Sequence, residues 1–145
     1  MPAPITSSDV RTYIQDNTAL NYLLDGLEFP DAMVTLAMTL AVDEFNMIPP
    51  IGGVSLDTFP SATILMHGTL SHLMEGQTAL LARNTMEYSD GGLQVPVEER
   101  APLYAQMVQM YHQSFVNMSK QYKISQNMEN GWGSVASDEA MFPDW

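Results

Sequence analysis

The run from Phe59 to Asp90, FPSATILMHGTLSHLMEGQTALLARNTMEYSD, constrains this chain more than any other feature. It reads as one long helix with only two charged side chains, Glu75 and Arg83, before its last turn. A helix of roughly 27 residues spans about 40 Å. Apolar residues occupy most of its faces, and a helix apolar all round needs cover all round. A chain of 145 residues has few other helices to supply that cover. The expectation is that neighbouring copies of the same chain provide the rest, so the chain reads first as an assembling protein and not as a catalyst.

The flanking segments read as further helices. Ser7 or Ser8 can cap a short first helix with Asp9 in its first turn, and Val10, Tyr13 and Ile14 fall on one face. Asn17 to Gly26 reads as a turn plus a short extended piece. Pro30 opens a second helix, around which Met33, Val34, Leu36, Ala37, Met38, Leu40, Ala41 and Phe45 wrap widely, until Pro49 and Pro50 stop it. IGGVSLD then reads as a flexible loop, and Thr58 and Pro60 start the long third helix. Within that helix Gly68 and Gly76 each cost about 1 kcal/mol relative to alanine. Either they admit another backbone, as residues of a subunit interface, or they are tolerated kinks.

Asp90, Gly91 and Gly92 give a turn between apolar flanks, which predicts a short β-hairpin near 86–97. A fourth helix starts near Glu98 and ends near Asn127. Its stripe is Leu103, Met107, Met110, Tyr111, Ser114, Phe115 and Met118, with Lys120 and Lys123 in the last turns. The predicted fold is thus mainly α: a small bundle of about four helices, two of them long, with one hairpin. It forms a domain over 1–127, followed by an extended C-terminal arm over 128–145. Trp132, Met141, Phe142 and Trp145 are spaced along that arm as docking anchors for a neighbouring subunit or partner. Folding back on its own chain, or disorder, are the alternatives.

Composition excludes several functions. Seventeen acids against five bases give a formal net charge of −12. Such a chain lacks the lysines and arginines that bind nucleic acid by neutralising phosphates, and its acidity repels a polyanion. There are no cysteines, hence no disulfide and no thiolate metal site. MPAPITSSDV has neither a basic nor an apolar leader region, and the apolar windows around Val34 and Leu65 are too broken to enter a membrane. The twelve methionines suit adaptable interfaces, or reflect compositional drift.

Catalytic signatures are missing from the sequence. His67 and His72 stand five residues apart and share a helix face poorly; with His112 they read as core or interface histidines. Asp43 with Glu44, and Glu98 with Glu99, are adjacent pairs pointing different ways, and read as solvated or helix-start acids. Neither HExxH, GxSxG nor a phosphate-binding GxxxxGK occurs. Glu75 follows His72, the reverse of the di-iron Glu-x-x-His order. Arg83 can pair with Glu87 one turn on or with an acid of the next chain. No enzyme activity, cofactor or metal is expected.

The order of motifs carries a resemblance. EFNMIPP after an apolar helix, then FPSATILMHG, then LLARNTMEYSDGG, then APLYAQM opening a long amphipathic helix, is similar to small virion structural proteins of tailed bacteriophages. The chain resembles head–tail connector (adaptor or neck) proteins over about residues 8 to 127. The resemblance implies a ring, commonly of twelve copies, under the portal protein, with other neck or tail proteins as neighbours and DNA passing through the lumen. It implies no catalytic residues. On this reading Gly68, Gly76, Arg83 and Tyr88 are the candidate subunit-interface residues, and the acidic balance suits a channel that DNA crosses without adhering. A tail-terminator, baseplate or decoration protein is the alternative within the class. An acidic regulator that binds a host protein is the alternative outside it.

Overall fold

The computed structural model describes residues 4–22, 26–84, 88–90, 93–95 and 100–132. The chain is mainly helical, with α1 at Ser7–Tyr13, α2 at Asp31–Met47, α3 at Ala62–Asn84 and α4 at Arg100–Trp132. Two three-residue strands, β1 at Tyr88–Asp90 and β2 at Leu93–Val95, pair antiparallel between α3 and α4. The wider hairpin expected over 86–97 reaches into residues outside the described ones.

The cap of α1 is Thr6 and not Ser7 or Ser8. Its hydroxyl accepts the Asp9 N–H while the Asp9 carboxylate accepts the Thr6 N–H, a reciprocal capping box. Ser7 donates instead to the Asp31 carboxylate, which also pairs with Arg11. The short first helix is thereby tied to the start of α2. The segment between them is organised by buried Asp16, which accepts the side-chain amide of Asn21 (2.6 Å) and the N–H groups of Glu28 (2.8 Å) and Phe29 (2.9 Å). The turn expected after Asn17 is present, with the Asn17 carbonyl accepting from the Leu20 and Asn21 N–H groups, and the extended piece expected after it reaches residues 23–25, outside the described ones.

Helix α2 follows Pro30 and ends just before the proline pair, as its sequence requires. Val34, Ala37, Met38, Ala41, Val42 and Phe45 form its buried face. The following segment is held, contrary to the expected flexible loop. The Asn46 side chain donates to the Val54 carbonyl (2.9 Å) and accepts the Val54 N–H (3.0 Å). A 3-10 turn at Leu56–Thr58 then brings Phe59 against Phe45, with ring centroids 4.8 Å apart.

Helix α3 is shorter at both ends than the sequence suggested, with 23 residues. The 3-10 turn takes up Thr58, Phe59 after it is extended, and Ser61 accepts the Ile64 N–H (3.4 Å) at the true start. The main correction concerns cover. Helix α3 lies antiparallel between α2 and α4, which bury Ile64, Leu65, Gly68, Thr69, Leu70, Ser71, Leu73, Met74 and Gln77. The chain itself shields much of the rod because α4 is 33 residues long, about 50 Å, and runs alongside it. The outward residues of the C-terminal turns, such as Ala79, Leu80 and Ala82, remain exposed.

Helix α4 continues five residues past Asn127, since MENGW holds no proline and a single glycine is too weak a breaker to end it. The expected arm therefore cannot begin before residue 133. Its remainder, 133–145 with Met141, Phe142 and Trp145, lies outside the described residues.

Candidate functional site

Helix α2 is apolar on two sides, for two different reasons. Its inner side fills the core. Its outer side carries Met33, Leu36, Leu40 and Met47, spaced by three, four and seven residues, so they form one stripe opposite the buried face. Leu36 is 60% exposed and Met47 75%. Beside this stripe α3 contributes His72, Glu75, Gly76 and Ala79, and an open groove of about 310 Å³ runs between the two helices. Gly76 widens it, for a Cβ there would meet nothing within 4 Å.

A second stripe lies on α4. Leu103, Met110 and Ile124 are exposed at multiples of seven residues, with exposed Asn117 in the place between Met110 and Ile124 and Met128 one turn beyond Ile124. These positions face away from Phe115, Ser119 and Lys123, the buried side of the same helix. Single exposed apolar residues are ordinary, but two aligned rows on separate helices are surfaces that water covers at a cost.

Between the stripes sits a polar node that joins all three long helices. Glu44 of α2 accepts from His112 of α4 (2.7 Å to Nε2), and its other oxygen lies 3.2 Å from His72 Nε2 of α3, off the axis of an ideal hydrogen bond. His72 Nδ1 is 3.7 Å from Glu75. The His72 contact, helped by His112, holds the Glu44 carboxyl below the usual glutamate range, and Glu44 in turn raises His72. His67, by contrast, hydrogen-bonds Ser114 (2.8 Å) against the edge of Tyr111, and burial lowers its pKa. The node is a clasp. Among the described residues, no group of three or more His, Cys, Asp or Glu side chains could hold a metal ion.

Lys123 forms a second clasp. Its buried Nζ lies over the Phe45 ring (4.6 Å) and donates to the carbonyls of Phe45 (2.5 Å), Ile48 and Pro50 (2.9 Å). It satisfies and electrostatically complements the end of α2, not the end of its own helix as the sequence suggested.

The residues singled out from sequence scatter. Gly68 is buried, and the close approach it permits is made by the chain's own Phe115 and Ala41, not by another copy. Gly76 is exposed in the groove, and Arg83 is exposed in the last turn of α3. Its expected partner Glu87 lies outside the described residues. Tyr88 opens β1, and Trp132 is the last residue of α4. Glu44 and Lys123 were missed as structural nodes. The available signal was phase: Glu44 stands three residues after buried Ala41, and Lys123 eight after buried Phe115.

No family model matches this chain, and neither a curated protein nor a solved structure matches it. Among the described residues, no helix is long and apolar enough to cross a membrane.

Proposed function

We propose that the chain is a structural, non-catalytic protein that works by self-assembly, as an oligomeric ring in the neck of a tailed phage virion, joining portal to tail and letting DNA pass. The observation that carries the reading is the pair of outward apolar stripes on α2 and α4, which leave a folded protomer with surface to bury. The order of sequence motifs supplies the virion context. In this architecture an arm over 133–145, with Met141, Phe142 and Trp145, docks on the next tier or on a neighbouring subunit. The net charge of −12 suits a lumen that DNA traverses without binding.

The test is particle imaging and mass measurement of the purified chain, alone and after mixing with the portal protein of its phage, together with detection of the chain in purified virions. Rings on the portal axis, and no DNA binding at moderate salt, are expected. A stable monomer absent from virions, in complex with a host protein, overturns the reading.

A further inference from the structure

We propose that the groove between α2 and α3 seats the outer face of α4 of a second copy, so that copies join head to tail. The inference deepens the assembly reading and rests on it.

Charge selects the occupant. Asp43 stands exposed on the groove's α2 side, between Leu40 and Met47, and Glu75 lines its α3 side. Neither α2 nor α3 contains a lysine, and neither has an arginine before Arg83. The groove is thus apolar with an acidic rim. From Ala101 to Met128, α4 has no aspartate or glutamate, in a chain with seventeen acids. Lys120 is exposed one turn before Ile124, beside the apolar row. The outer face of α4 carries Leu103, Met110, Ile124 and Met128 among the neutral amides of Gln106, Gln113, Asn117 and Gln121, with the cation of Lys120 beside them and no acid before Glu129. Two copies at −12 repel over most encounters, and this pairing sets opposite charges against each other where apolar rows also meet.

Shape agrees. Leu103 and Met110 stand seven residues apart and Ile124 fourteen further on, with Asn117 between them, the spacing of a row that one helix lays into the seam between others. The two surfaces are different patches on one protomer, so their contact is heterologous. Heterologous contacts propagate, closing into a ring when the rotation allows.

The test uses two full-length variants, Leu36→Asp/Leu40→Asp and Leu103→Asp/Met110→Asp, with circular dichroism to confirm their helices. All four positions are exposed, so the fold should survive. Sedimentation or mass photometry over rising concentration should show the unmodified chain growing beyond a dimer and each variant alone staying monomeric. An equimolar mixture should give a one-to-one dimer and nothing larger, because one chain offers an intact groove and the other an intact row. Asp43→Lys should weaken assembly about tenfold, and adding Lys120→Asp should restore it.

If the groove variant alone still pairs, or the mixture stays monomeric while the unmodified chain assembles, the interface is wrong and the assembly reading survives. Assembly that is lost on removing 133–145 but kept in the α4 variant assigns the groove to the arm and overturns the proposal. An unmodified chain that stays monomeric at every concentration and on its portal overturns both.

Discussion

Gly68 of α3 faces Phe115 of α4 so closely that a methyl group on the glycine would sit 2.7 Å from the ring and 2.9 Å from the Ala41 side chain. The three long helices converge at that absent side chain. Phe115 is itself fully buried, so its ring has little room to give.

Gly68→Ala should therefore destabilise the fold. With three contacts under 3.0 Å, two of them to a fully buried ring, overpacking costs about 2–3 kcal/mol and outweighs the gain of about 1 kcal/mol in helix propensity. Gly76→Ala should do the reverse, because the space there is open, and should stabilise by up to about 1 kcal/mol. Urea unfolding of the two variants beside the unmodified chain checks the opposite signs.

Lys123→Met keeps the stem of the side chain but leaves the Phe45, Ile48 and Pro50 carbonyls without their donor. A loss of about 3 kcal/mol is expected. Lys120→Met, at an exposed position on the same helix, should stay within about 0.5 kcal/mol. Denaturant midpoints measured at one pH compare them.

The Glu44 node should leave a pH signature. His72 is raised in the folded state, so its stabilisation is complete below the ordinary value of 6.5 and is lost as pH rises through the higher folded value. Glu44 is lowered, so its share is complete above the ordinary 4.5 and is lost as pH falls through the lower folded value. The difference in Tm between the unmodified chain and Glu44→Gln should be largest between those two values and shrink on either side. Half-buried His67 works in the opposite sense, but is common to both chains and cancels.

Asp16→Ala should free the N–H groups of Glu28 and Phe29 together with the Asn21 amide. The expected loss is about 2–3 kcal/mol, with faster hydrogen exchange at the Phe29 amide as the local readout.

The helices were legible where local rules decide them. Pro30 and the Pro49–Pro50 pair bracket α2, and the row from Leu103 to Met118 marks α4. The ends were less legible, because a cap depends on which of several hydroxyls is oriented: Thr6 took the role expected of Ser7 or Ser8. The segment after α2 was misread for a different reason. Its order comes from Asn46 and from Lys123, about 75 residues away, and such partners leave no local mark. The excess of apolar residues in α3 was read as a demand for cover by other copies, and α2 and α4 of the same chain meet much of it. Which helix supplies the cover was not in the sequence of α3, and the surplus appears instead on the outer faces of α2 and α4.

The Lys123 clasp also bears on how the protein is made. The end of α2 is finished by a residue about 75 positions later in the chain, so the segment up to Pro50 cannot reach its final form before that residue has emerged. Until position 123 has left the ribosome, the carbonyls around Ile48 must rely on water. A nascent chain stalled before that position therefore carries an unfinished helix end.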